Sequence, residues 1–303
     1  MTDSTSTTRQ QGAVYDLGYQ PFEGERTGRS GARKTVYFDG IRRVLGLRRK
    51  AKRKVMPWAL LLVAIIPPIV AVGVAFFIPA GASESIDLAG QNSAFFTLAG
   101  TIAMLFTALA APELLIPDRR DGVLSMLASR PLTTADYLGS RFASLATVIG
   151  AFMIVPQTVL FFGQAGTHPE GLFSGMVHAA HTLPKIVAAA AVYTIAFGPL
   201  GFVIAGLSKR KSVATAGYLA VMIALTAFAE AVVRGSNIAG GRWVALLAPI
   251  NTADAANVWI FGESNPDSLL AAANIHPAIG IAALIVSGAA LSMFALHRYR
   301  RLA

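Results

Sequence analysis

Six stretches of the chain run for about twenty residues almost without charge. Basic residues crowd the segment before the first stretch and every second connection after it. The apolar stretches fall within residues 58–78, 88–112, 142–163, 186–207, 213–233 and 277–296. Each has the length an α-helix needs to cross a hydrocarbon core of about 30 Å. Backbone N–H and C=O groups find no water in that core, so helices are the expected form. The pattern predicts an all-α, polytopic membrane protein with six transmembrane helices. Residues 1–54 precede the spans and 55–303 form the membrane domain, with long connections at 112–141 and 234–276.

The basic residues set the expected sidedness. Thirteen precede Val55; Arg119, Arg120, Arg130 and Arg141 join spans two and three; Lys209, Arg210 and Lys211 join spans four and five; Arg298, Arg300 and Arg301 follow span six. The opposite face has only Lys185, Arg234 and Arg242. By the positive-inside rule the richer face is cytoplasmic, with both termini on it. The chain is therefore expected in the cytoplasmic (inner) membrane as a multi-pass protein.

Composition supports this reading. Hydrophobic residues make up 54% and charged residues 14%, against about 25% charged in ordinary soluble domains, and mean hydropathy is +0.56. The net charge of +10 would fit nucleic acid if it were spread over a soluble surface. Its concentration at span ends instead implicates topology and anionic membrane lipids as partners, with no nucleic acid. With no cysteine, disulfides, thiolate metal sites and cysteine nucleophiles are excluded. The first apolar run begins beyond the reach of a signal peptide and is expected to remain as an anchor.

Within 36–54, Val36, Tyr37, Ile41, Val44, Leu45 and Leu47 alternate with basic residues. This predicts an interfacial helix on anionic lipid, although Gly40 and Gly46 weaken a helix. In the spans, Pro67 and Pro68 predict a kink, read either as packing or as a break lining a pathway. Gln91, Asn92, Gln157 and Tyr193 are polar groups read either as pathway-facing or as structural hydrogen-bonders. The membrane interior otherwise shows almost no ionisable residue, with Glu230 the one acidic candidate near the outer boundary. In 234–276, the segments 243–250 and 268–275 are too short to cross and predict surface or re-entrant helices.

The connection 112–141 carries the most local information. Pro117-Asp118 reads as the N-cap of a short helix with Asp121 in its first turn. Val123, Leu124 and Leu127 form an apolar flank, and Arg130-Pro131 reads as a stop. Thr133 and Asp136 fit a capping box that starts a second helix running into span three through Tyr137 and Leu138. This connection resembles that of the permease subunits of ABC-2-type ATP-binding-cassette transporters. The matching pattern is Glu113, Gly122, Leu124, Leu127, Pro131-Leu132, Tyr137-Leu138 and Arg141, the last standing where the family often has lysine. Residues 15–29 resemble the cytoplasmic lead-in of actinobacterial members.

The resemblance implies a coupling helix that docks on a separate ATP-binding subunit. The residues expected at that contact are Glu113, Arg119, Arg120, Asp121, Val123, Leu124, Leu127 and Arg130. It further implies a second permease copy or a homologous permease, ATP and Mg in the partner alone, and spans one, two and five as pathway walls. Export is the expected direction.

No phosphate loop, H-E-x-x-H or G-x-S-x-G motif occurs, so no catalysis and no cofactor are expected in this chain. His178 and His181 are three apart but form no compact metal signature. Two alternatives stand beside transport. One is a membrane scaffold or assembly factor. The other is a lipid-modifying enzyme using Asp118, Asp121 and Asp136, which lack a repeated helix-facing spacing. Reporter fusions after Lys54, Gly81, Gly122, Pro169, Lys211, Glu263 and Ala303 are expected to alternate in sidedness, and same-side signals from Gly122 and Glu263 would refute the topology.

Overall fold

A computed structural model describes residues 28–47, 55–77, 92–122, 132–235 and 240–300. Among them the ordered elements are all helical. They are α1 (Gly28–Val44), α2 (Val55–Phe77), α3 (Asn92–Arg120), α4 (Thr134–Gly166), α5 (Leu172–Ala179), α6 (Thr182–Leu207), α7 (Lys211–Gly235), a 3₁₀ segment (Gly241–Leu247), α8 (Pro249–Phe261), α9 (Leu269–Ala272) and α10 (Pro277–Arg300). Six of these, α2, α3, α4, α6, α7 and α10, are long and apolar enough to cross a membrane. The protein is thus a multi-pass, all-helical membrane protein.

The six are not equivalent. At least half of the apolar window of α3, α4 and α6 is buried inside the bundle, whereas α2, α7 and α10 keep most of theirs exposed. The centre is filled by residues from the first three, including Phe96, Leu114, Leu145, Ile149, Tyr193 and Phe197. Small residues bring the helices close: a Cβ on Gly100 would lie 2.5 Å from the Tyr193 ring, and one on Gly201 would lie 3.0 Å from the Thr107 methyl. Such close backbone approach is the usual basis of helix association in lipid.

Prolines interrupt these helices without ending them. The second span runs eight residues past the expected limit, through Pro112 and Pro117 to Arg120. The N–H that Pro112 lacks would have bonded the Ala108 carbonyl. Thr215 Oγ1 of α7 donates to that carbonyl at 2.9 Å instead, so the kinked helix loses no partner. Pro199 of α6 is packed by Gly288 of α10, where a Cβ would approach the proline ring at 3.3 Å. Pro67 and Pro68 also sit inside an unbroken helix, and Pro68 is one of the two buried residues of α2.

Two expectations are corrected. Asp118 is not the N-cap of a separate short helix, because it lies within α3, buried and ion-paired. The basic N-terminal helix begins at Gly28 rather than near Val36, and it packs against protein through Val36, Gly40 and Val44 instead of resting wholly on lipid. It ends at the left-handed Gly46 (φ 67°), with Leu47 N–H donating to the Arg42 carbonyl at 2.8 Å and Gly46 N–H to the Arg43 carbonyl at 3.3 Å, the two bonds of a Schellman close. In the connection 234–276, the 3₁₀ segment and α9 fall on the two expected short segments, and between them lies an unexpected helix, α8, which the 3₁₀ segment meets at 87°.

Gly40 belongs to α1 because of where the helix crosses α4. A Cβ there would lie 2.4 Å from Ser144 Oγ and 3.3 Å from a Leu114 methyl. Gly40→Leu is therefore expected to lift α1 from the bundle. The cost is about 1–3 kcal/mol of overpacking, and limited trypsin digestion at Arg42 and Arg43 should accelerate with the spans intact. Unchanged digestion would show that the crossing tolerates a side chain.

Candidate functional site

At the basic end of the bundle, Asp118 is a carboxylate with 1% side-chain exposure. Four donor groups from two other helices surround it. Arg43 of α1 donates at 2.5 Å to Oδ1. Arg141 Nη2 and Nε of α4 donate at 2.7 and 3.1 Å to Oδ2. The Tyr137 hydroxyl, also of α4, donates to Oδ2 at 2.7 Å. Asp39 of α1 bridges the two arginines, accepting from Arg43 at 3.0 Å and from Arg141 at 2.9 Å. Arg141 reaches on to the Val36 carbonyl at 3.3 Å. A second acid on α4, Asp136, accepts from Arg29 and Arg33, each at 2.7 Å. It also closes the capping box with Thr133 that starts α4. Thus α1 is bolted along the first turns of α4 and to the end of α3.

The other helices join the same end. Arg119 of α3 turns inward, and its guanidinium donates to the carbonyls of Ala205, Gly206 and Ser208 at the C-terminus of α6. It also lies 5.8 Å from the Tyr299 ring centroid of α10. A cation over the last carbonyls of a helix satisfies orphan acceptors and complements the helix dipole. Lys211 of α7 meets Glu113 of α3 at 2.7 Å. Of the residues expected at a docking surface, Glu113 and Arg119 therefore serve contacts inside the bundle, while Arg120 and Asp121 are exposed at the end of α3. Val123, Leu124, Leu127 and Arg130 lie outside the described residues.

The polar groups of the expected pathway gather at the opposite end, around the start of α3 and the inserted α8. Gln157 is buried and donates to the Asn92 carbonyl at 3.4 Å. Asn257 of α8 donates to the Ser93 carbonyl at 2.8 Å. Tyr193 stacks on Phe96, with ring centroids 6.1 Å apart, and its hydroxyl donates to Asp254 Oδ1 at 2.5 Å. Gln91 lies outside the described residues. Asp254 is an acid the sequence reading missed: it sits on α8, a helix packed among the spans α3, α6 and α10. Glu230 itself pairs with Arg234 at 2.6 Å and accepts from Asn251 at 2.8 Å. The aspartates of the enzyme alternative are divided between separate arginine sets, Asp118 with Arg43 and Arg141, and Asp136 with Arg29 and Arg33. His168 joins His178 and His181 in a ring contact, 5.4 Å from His178 between centroids. Among the described residues, no group of three His, Asp or Glu side chains could hold a metal ion.

Comparison with protein-family models and with curated proteins finds no match.

A buried ion pair that loses one partner leaves an unpaired charge, typically at about 3–5 kcal/mol. Asp118→Ala and Arg141→Ala are each expected to lower the thermal unfolding midpoint in detergent. The double variant should lose much less than the sum, because the two groups are in contact. Additive losses would show that the pair is not coupled.

Proposed function

We propose that this chain is the membrane-spanning permease subunit of an ABC-2-type ATP-driven transporter, an exporter whose ATPase is a separate subunit. The observation that carries the reading is the joining of α3 and α4 by Asp118, Tyr137 and Arg141 on either side of the connection between them. A force applied to that connection would move both helix ends, and α1 with them, as one block. This is the mechanical arrangement that a coupling segment requires. The resemblance of 112–141 to such segments supplies the identity of the partner.

In this reading the basic end faces the cytoplasm and receives the ATPase, which binds ATP and Mg. The chain pairs with a second copy or a homologous permease, and the pathway forms where the halves meet, with α2, α3 and α7 as its walls. The exposed apolar faces of α2 and α7 are compatible with that assembly. Alternation between two global states, each favoured by a different nucleotide state of the partner, would move the substrate by differential binding without chemistry upon it. Few charges lie in the spans, which favours an amphiphile, a drug or a lipid-linked molecule over an anionic polymer.

The test is co-purification with an ATP-binding subunit from the native membrane, followed by reconstitution in proteoliposomes. ATP turnover should rise with a transported substrate. Leu124→Asp should reduce recovery of the ATPase by about tenfold or more, equivalent to about 1.4 kcal/mol at the interface, at unchanged membrane abundance. Full recovery and turnover in that variant would move the contact elsewhere. Failure of any candidate substrate to move would favour the scaffold reading.

A further inference from the structure

Two cavities adjoin at the basic end, and their chemistry differs. The first, of about 680 Å³, lies between α2, α3 and α7, with the end of α1 at its rim. Its walls are chiefly apolar, from Met56, Pro57, Phe106, Leu109, Ala110 and Leu219. The second, of about 610 Å³, lies between the end of α3 and the α6–α7 turn and is bordered by Arg120, Lys209, Arg210 and Lys211, with Asp121 as its one acid. Lys211 and Ser212 line both. Side by side, with the start of α7 as a shared wall, the pair makes an amphipathic cleft.

The cleft follows a single face of α3. Phe106, Leu109, Ala110 and Glu113 line the apolar part, and Ile116, Pro117 and Arg120 line the basic part. These positions recur at helical spacing. From Phe106 to Arg120 the face extends roughly 21 Å at 1.5 Å per residue. That is one hydrocarbon leaflet of about 15 Å, half a core of about 30 Å, plus part of the headgroup layer. The charge order matches as well. Arg120, Lys209 and Arg210 are exposed and pair with no acid among the described residues, whereas Lys211 is held by Glu113 and Arg43 by Asp118 and Asp39. The start of α7, Lys211 and Ser212, borders the same basin, and a helix N-terminus favours an anion.

We propose that this cleft is a binding site for an anionic membrane phospholipid. The phosphate lies against Arg120, Lys209, Arg210 and the start of α7, and an acyl chain lies between α2, α3 and α7. A soluble anion would fill only the basin and leave the apolar part unexplained. A second copy covering the apolar faces of α2 and α7 would leave the cations of the rim without counter-charge, whereas the headgroup of an anionic lipid supplies it. The inference requires only that the chain is embedded in a membrane, and its test needs neither ATP nor an ATPase, so it stands or falls apart from the transport reading.

The experiment is native mass spectrometry of the full chain in neutral detergent. It is titrated with phosphatidylglycerol and with phosphatidylcholine of identical acyl chains, with inorganic phosphate as the soluble competitor. The wild type should retain phosphatidylglycerol at least about tenfold better than phosphatidylcholine. The variant Arg120→Gln/Lys209→Gln/Arg210→Gln should lose that preference, while Lys209→Arg/Arg210→Lys keeps it. Ala216→Trp, which fills the apolar part, should weaken phosphatidylglycerol binding by a similar factor. Phosphatidylglycerol should also raise the thermal midpoint of the wild type but not of the triple glutamine variant, which guards against a folding defect being read as lost binding. Equal retention of the two lipids by the wild type, or full preference in the triple variant, overturns the proposal. Complete displacement by inorganic phosphate would make the basin a free-anion site, and loss of self-association in Ala216→Trp with lipid binding intact would assign the cleft to a second copy.

Discussion

A carboxylate withdrawn from water where the bundle meets the membrane surface costs several kcal/mol unless cations and donors replace its hydration. Asp118 meets that requirement with two guanidiniums and a phenol, and the requirement dictates the arrangement of the basic end. Arg141 donates through Nη2 and Nε to one oxygen of Asp118, which a planar guanidinium can do and an ammonium does less well. Two arginines on one acid leave a surplus positive charge, and Asp39 offsets it from α1. The N-terminal helix thus docks without adding net charge, since it brings Asp39 together with Arg43. Its apolar flank is modest, and Arg43 supplies the donor for the second oxygen of Asp118 at the junction of α3 and α4.

The same requirement, that each polar group removed from water find a partner, explains contacts elsewhere. Pro112 would strand the Ala108 carbonyl, and Thr215 from α7 occupies it. The last carbonyls of α6 would face an apolar neighbourhood, and Arg119 takes three of them. At the other end Asn257 answers the Ser93 carbonyl. Each partner comes from a different helix than the group it satisfies. The bonds that repair helix ends and kinks therefore also fix the positions of α6, α7 and α8 relative to α3.

The sequence made the spans legible because long uncharged runs have one physical solution in lipid. It also made the start of α4 legible, since the spacing from Thr133 to Asp136 encodes a local bond pattern. Asp118 was misread because Pro-Asp before an apolar flank fits an N-cap as well as a helix interior, and only the long-range arginines decide between them. The extent and docking of α1 depended on the same distant partners. The inserted α8 was missed for a different reason. Its sequence, PINTADAANVWIF, is too short and too polar to stand out as a membrane segment, and it is buried only because α3, α6 and α10 leave room for it. Asp254 was hidden with it. The docking role of 113–130 rests on resemblance, and half of the residues expected there lie outside those the structure describes.

Exposed apolar surface on α2, α7 and α10 is not in itself a sign of a partner, because lipid tails are as apolar as the side chains. What separates α2 and α7 from α10 is the cleft they form with α3 and the charge at its rim. Polar groups near the start of α3, such as Gln157 and Tyr193, are turned inward and bonded, so they hold the bundle together. The cations at the basic end divide into two kinds. Arg43, Arg119 and Arg141 are spent inside the fold, whereas Arg120, Lys209 and Arg210 face outward. An internal cation keeps a helix in place, and removing it acts on stability. An external cation set beside an apolar cleft adds nothing to the packing of this chain, so its placement at the end of α3 and in the α6–α7 turn answers to the sidedness of the spans and to whatever anion the cleft receives.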